Sequence, residues 1–175
     1  GQTRVSQRPD QLLSPRTVAA YTAAARRGSG LPVLAKMTPN TGCMEAAAKA
    51  AVDAGAAGIA AINTIKSVLN VDLDGDFSSQ PQVDGRSCVG GYSGKAVKPI
   101  ALRFIQDVKK CAGLRDTPVS GMGGIETWRD AAEFLSMGCG TVQVTTAVMQ
   151  YGYRVIDDLI GGLTGYLAEK GCASV

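Results

Sequence analysis

The chain has 175 residues, of which 45% are hydrophobic, 5% aromatic and 19% charged, with a formal net charge of +3. This is an ordinary globular balance, enough for one domain with a sizeable core. Basic residues are scattered without interleaved aromatics, and no apolar run reaches the ~18 residues of a membrane span, so neither a nucleic-acid nor a membrane partner is expected.

Cysteine and histidine usage narrows the chemistry further. The chain has no histidine, which excludes His-based triads. Five cysteines (Cys43, Cys88, Cys111, Cys139, Cys172) are widely spaced with no CxxC pair, so no zinc, iron–sulfur or other metal site is expected. An odd count and a polar start, Gly1 to Arg8, point to free thiols in a reducing cytoplasm and to no signal peptide. Cys43 and Cys139 read as small buried apolar residues.

Residues 1–13 are polar and lack periodicity, and read as an arm. Ser14-Pro15 is an N-cap followed by proline at the first helical position, and the helix carries Val18, Tyr21 and Ala25 towards one face before Gly28. Residues 31–36 read as a buried parallel strand that delivers Lys36 at its C-terminal end. An alanine-rich helix over 43–54 follows, then a strand over 57–62 delivering Asn63-Thr64. From Ile65 to about Ser93 the sequence reads as a long lid or irregular loop. Its Asp72-x-Asp74-x-Asp76 run resembles the start of a calcium loop, but the glycine is misplaced and the closing glutamate is missing.

Tyr92-Ser93-Gly94-Lys95 opens the next helix. A strand over 118–121, the turn Gly123-Gly124, a helix over about 127–137, a strand over 141–145 ending in Thr145-Thr146, and a closing helix over about 152–169 complete the chain. Four strands alternating with helices imply parallel crossovers. A complete (β/α)8 barrel needs eight strands and about 250 residues, so the expected fold is α/β, the C-terminal half of a TIM barrel, with strands 31–36 and 141–145 as open edges.

Every chemical candidate sits at the C-terminal end of a strand, where barrel enzymes keep their sites. Lys36 suits either a Schiff base or a cation beside an electron-rich cofactor, or else snorkels to the rim. Asn63 offers a donor and an acceptor to a heterocycle, or else satisfies its own turn. Gly123-Gly124 and Thr145-Thr146 together suit a phosphate, with Ser93-Gly94 as a weaker third contact. Trp128 and Phe134 read as core.

These motifs in order are Ala35-Lys36-Met37-Thr38-Pro39-Asn40, Ala61-Ile62-Asn63-Thr64, Gly91-Tyr92-Ser93-Gly94-Lys95 through Leu102, Gly121-Met122-Gly123-Gly124-Ile125 and Gln143-Val144-Thr145-Thr146. As a set they resemble the dihydropyrimidine dehydrogenase and dihydroorotate dehydrogenase family, in particular the FMN-binding subunits of NAD-dependent dihydropyrimidine dehydrogenases. The resemblance covers about residues 14–170 and implies an FMN-binding (β/α) barrel domain over 14–175. By resemblance, Lys36, Gly94, Gly123, Gly124, Thr145 and Thr146 bind FMN, and Asn63 and Thr64 bind the pyrimidine. The implied reaction is reduction of the 5,6 double bond of uracil or thymine, with NAD, FAD and iron–sulfur clusters carried by a partner subunit or other domains. An oligomer is expected.

The family's general acid is a cysteine in an Asn-Leu-Ser-Cys-Pro type motif ahead of the Lys36 strand. That motif is absent, and Cys43 does not match it, so no catalytic residue is expected within this chain. The chain is accordingly expected to be a truncated piece. Two competing expectations are a Schiff-base aldolase or isomerase using Lys36, and a non-catalytic half-barrel that pairs with a partner to cover its edges.

Overall fold

The structure, a computed structural model, describes residues 14–172; the arm expected over 1–13 lies outside the described residues. Helix α1 spans Pro15–Gly28, and Ser14 caps it by accepting the N–H of Thr17. Its buried face runs through Thr22 and half-buried Val18, while Tyr21 is 53% exposed. The expected face through Tyr21 and Ala25 is therefore rotated, because α1 packs on helix α2 (Met44–Asp53) through the Val18 and Thr22 side.

Strands β1 (Leu34–Lys36), β2 (Gly58–Ala61), β9 (Val119–Met122) and β10 (Thr141–Gln143) form one parallel sheet in the order β1-β2-β9-β10. Helices α2, α3 (Lys98–Lys110), α4 (Trp128–Ser136) and α6 (Arg154–Glu169) alternate with the strands. This is part of a (β/α)8 barrel, as the alternating pattern implies. Strand β1 is not buried as its apolar run suggested. Leu34 is 49% exposed, because β1 is an edge strand paired only with β2 among the described residues.

The pleat sorts the two sheet faces. Ile59, Ala61 and Val119 join Met44, Ala48, Ala101, Phe104, Ile105, Val108 and Phe134 in the buried cluster between sheet and helices. Gly121 has no room for a side chain on this face, since a Cβ there would lie 2.5 Å from the Phe134 ring and 2.8 Å from Cys139 Sγ. Phe134 is fully buried, and its loss would cost about 3–5 kcal/mol. Cys139 is buried as expected, which pushes its thiol up to about 11, whereas Cys43 is exposed at the N-cap position of α2.

Residues 65–92 are not an irregular loop. They form three small antiparallel ladders: β3 (Ile65–Ser67) with β8 (Gly90–Tyr92), β4 (Asn70–Val71) with β5 (Ser79–Gln80), and β6 (Gln82–Val83) with β7 (Arg86–Ser87). Strands of two or three residues are too short for period-two alternation to be visible in the sequence. The aspartates there cap turns: Asp72 Oδ1 accepts N–H groups of Asp74 and Gly75, and Asp76 Oδ1 accepts that of Ser78. The closing helix α6 stands where expected, and an additional short helix α5 (Thr146–Tyr151) precedes it, separated by Gly152 at φ +74°. Among the described residues no helix is long and apolar enough to cross a membrane.

Helix α4 starts with a capping box. Thr127 Oγ1 accepts the Asp130 N–H, and Asp130 Oδ2 accepts N–H groups of Thr127 at 2.8 Å and Glu126 at 3.1 Å. Lys98, the first residue of α3, donates to Asp130 Oδ1 at 2.6 Å and pairs with Glu133 at 2.8 Å. Burial acts to raise the Asp130 carboxyl, but the Lys98 ammonium and the Thr127 and Glu126 donors together outweigh it and bring it from 3.8 to about 2. A carboxyl depressed on folding stabilises the native state above its unfolded value, a contribution of about 2 kcal/mol here. Thermal denaturation against pH should therefore show stability from this group intact above about pH 4 and lost as pH falls through about 2. Asp130→Asn should lower the melting temperature at neutral pH and remove that part of the acid dependence; an unchanged acid profile in the variant would refute the assignment.

Candidate functional site

Parallel strands bring their C-terminal ends to one side, and loops after all four strands of the sheet meet there. Lys36 ends β1 and is exposed. Asn63 and Thr64 follow β2, Gly94 precedes the 3-10 turn Lys95–Val97, and Gly123 and Gly124 follow β9. Thr145 is the N-cap residue of α5 and Thr146 its first residue. All eight residues line one cleft, together with Ile62, Ser93, Met122, Ile125, Glu126, Gln143 and Val144.

Each wall of this cleft is fixed by the backbone. Ile62 N–H donates to Met122 O at 2.9 Å and Asn63 N–H to Met37 O at 2.8 Å, which extends the β1-β2-β9 pairing just past the strand ends. Asn40 ties down the next residues, donating from Nδ2 to Thr64 O at 3.1 Å and accepting the Lys66 N–H at 2.8 Å. Asn63 Oδ1 accepts the Thr64 N–H at 3.0 Å. The asparagine thus satisfies its own turn and keeps its Nδ2 donors for other use.

The opposite wall is a nest of glycines. Gly94, Gly123 and Gly124 have φ of +86°, +124° and +75°. Gly124 sits so close to the 94–98 turn that a Cβ would lie 2.8 Å from Gly94 O and 2.9 Å from Lys98 N. Thr146 Oγ1 lies 3.2 Å from Ser93 Oγ, so the hydroxyls of two loops meet beside the glycines. Backbone N–H groups and hydroxyls converging without an opposing carboxylate in their hydrogen bonds make a cradle for an anion. Lys98 is close by in sequence, but its ammonium is committed to Asp130 and Glu133.

Ile62 and Met122 line the cleft between its walls and are buried at 4% and 8% exposure, giving an apolar centre. Lys36 stands at one edge with no ion pair among the described residues. The cleft holds about 190 Å³, less than the roughly 300–1,000 Å³ of a site that encloses a cofactor-sized ligand. The described residues therefore supply part of an enclosure: an anion cradle, an apolar floor and a cation.

All eight residues singled out from the sequence come together. Ile62, Met122 and Gln143 had been noticed only as members of motifs, and Glu126 not at all. The pleat could have found Met122 and Gln143, since each lies at a position whose side chain faces the same way as Lys36 once the register is known.

A family model for dihydroorotate dehydrogenase matches residues 8–167. The chain is 58% identical over 162 residues to the NAD-dependent dihydropyrimidine dehydrogenase subunit PreA of Escherichia coli (strain K12), covering 93% of this chain and 39% of that protein. It is 39% identical over 161 residues to the dihydroorotate dehydrogenase B (NAD(+)) catalytic subunit of Pyrococcus horikoshii, covering 92% and 50%. It is also 41% identical over 148 residues to the chloroplastic dihydropyrimidine dehydrogenase (NADP(+)) of Arabidopsis thaliana, covering 83% and 34%. The chain thus spans half or less of the length of these relatives.

Gly124→Ala tests the cradle. A side chain at φ +75° is strained by about 1 kcal/mol or more, and the contacts with backbone at 2.8 and 2.9 Å add to that. The variant should melt several degrees lower and bind inorganic phosphate at least tenfold more weakly by calorimetry. Wild-type phosphate affinity in a folded variant would show that the turn is not the anion site.

Proposed function

This chain belongs to the dihydroorotate dehydrogenase family, and from that premise and the shape of the cleft we propose that it forms part of an FMN-dependent oxidoreductase acting on the 5,6 bond of uracil or thymine. The observation that carries the proposal is the single cleft that gathers a glycine and hydroxyl cradle, an apolar floor and Lys36. These features fit FMN: the glycine and hydroxyl cradle, held by the close approach of Gly124 to the 94–98 turn, suits the phosphate, and the apolar floor suits a flat ring. In this reading Gly94, Gly123, Gly124, Thr145 and Thr146 hold the phosphate end, and Asn63 and Thr64 orient the pyrimidine.

Bound FMN would supply the hydride acceptor and donor for the ring carbons. The chain's own residues do the rest of what can be assigned here. Lys36 places a positive charge at the edge of the floor, where it favours any state with more negative charge on the ring above it. Asn63 can donate through Nδ2 to a pyrimidine carbonyl, since its Oδ1 is engaged by Thr64 N–H. Ile62 and Met122 exclude water beneath the ring. The proton for the second ring carbon comes, in this proposal, from a cysteine outside this chain. A partner subunit carrying FAD, NAD and iron–sulfur sites completes the electron path, and the assembly works in the cytoplasm.

The test is titration of FMN into the purified chain, followed by quenching of flavin fluorescence. Quenching with a saturable 1:1 isotherm, competed by inorganic phosphate, is expected. Lys36→Ala should weaken FMN binding by about fivefold to tenfold, the worth of one charge-assisted contact at a partly exposed site. Absence of any saturable FMN binding would refute the reading. Borohydride trapping of a carbonyl compound on Lys36 would support a Schiff-base enzyme instead.

A further inference from the structure

Barrel interiors are usually filled with branched apolar side chains. The inner face here is different, and the register says where. Lys36, Ala60, Ser120 and Thr141 are cross-strand partners in turn along β1, β2, β9 and β10, so they form one inward row. Met122 and Gln143 pair one layer nearer the cleft. Ser120 is only 5% exposed, and two side chains meet at its hydroxyl. Thr141 Oγ1 lies 2.8 Å from it, and Gln143 Nε2 donates to it at 2.9 Å.

Gln143 therefore bends down from the upper layer to reach the lower one. Its amide nitrogen is committed to a buried oxygen, while its Oε1 has no hydrogen-bond partner among the described residues. With Nε2 engaged at Ser120, the remaining end of the amide is the Oε1 acceptor, on a residue that lines the cleft. Lys36 and Gln143 stand on the two edge strands of the sheet, with Ile62 and Met122 between them. A cation, an apolar centre and an oriented acceptor are complementary to a flat heterocycle whose edge carries an imide N–H between two carbonyls. Both a flavin and a uracil have such an edge.

We infer that Gln143 binds a heterocyclic imide N–H through its amide oxygen, and that Ser120 and Thr141 are positioning residues that set the direction of that amide. The inference rests on the flavin reading above and adds to it a contact that the glycine cradle and Lys36 do not supply.

The test compares wild type with Gln143→Leu, which keeps bulk and removes the acceptor, and with Ser120→Ala, which removes the tether. FMN affinity is read by fluorescence quenching, uracil affinity by perturbation of the flavin absorption bands at saturating FMN, and the fold by circular dichroism. Gln143→Leu should weaken one of the two ligands about tenfold and shift the flavin bands if that ligand is FMN. Ser120→Ala should produce a smaller change, about threefold, in the same ligand, and phosphate affinity should stay at the wild-type value in both. If Gln143→Leu does not fold, Gln143→Met decides the matter by the same readings. Wild-type FMN and uracil affinities with unshifted bands in folded variants would overturn this inference and leave the flavin reading standing. A wild-type chain that binds no FMN would overturn both.

Discussion

The Asp130 carboxylate is the constraint on which the cleft depends. It caps α4, accepts the N–H groups of Glu126 and Thr127 at the end of the glycine turn, and pairs with Lys98 at the start of α3. Two helices and two loops thus converge on one buried anion. Without it, Lys98 would keep only Glu133 and the 123–127 segment would lose the acceptor of the Glu126 and Thr127 N–H groups. The depressed Asp130 carboxyl favours the folded state at neutral pH, and its second role is in the geometry of the turn. It ties the segment after Gly124 to the start of α3, where Gly124 lies so close to Gly94 and Lys98 that only glycine fits. The same pair engages the Lys98 ammonium, so that in the proposed FMN site the phosphate would meet backbone N–H groups and hydroxyls instead.

The second constraint is the pleat of a parallel sheet. Alternate residues face the helices and build the core, with Ile59, Ala61 and Val119 on that side. The intervening residues face the other way, and these are Lys36, Ala60, Ser120, Met122 and Gln143. One strand register therefore determines packing on one face and chemistry on the other. A slip of one residue would send Lys36 into the core and Ile59 to the cleft. This coupling ties the short edge strand β1, with little burial of its own, to the geometry of the site.

The parts legible in the sequence were those with strong local signals. Ser14-Pro15 marks a helix start, and Gly123-Gly124 marks a turn that needs positive φ. Because barrel sites lie at the C-terminal ends of strands, the eight candidate residues could be placed in one cleft before any coordinates. What was hidden lacked a local signature. The ladders over 65–92 are too short to show alternation. The short helix α5 over Thr146–Tyr151 has only six residues, too few to show a helical period. The rotated face of α1 is decided by contact with α2, which no single helix encodes. The interior row through Ser120 required a register, which is a relation between strands distant in sequence.

The central claim is that one cleft, shaped by the Asp130 anchor and the sheet's inner face, receives FMN with its phosphate on the glycine nest. Amide chemical-shift mapping of the isotopically labelled chain during FMN addition tests it most directly. The account predicts the largest shifts at the N–H groups of Gly94, Gly123, Gly124, Thr145 and Thr146, with smaller ones at Ile62 and Asn63. Shifts centred elsewhere on the surface, with these amides unmoved at saturation, would contradict it.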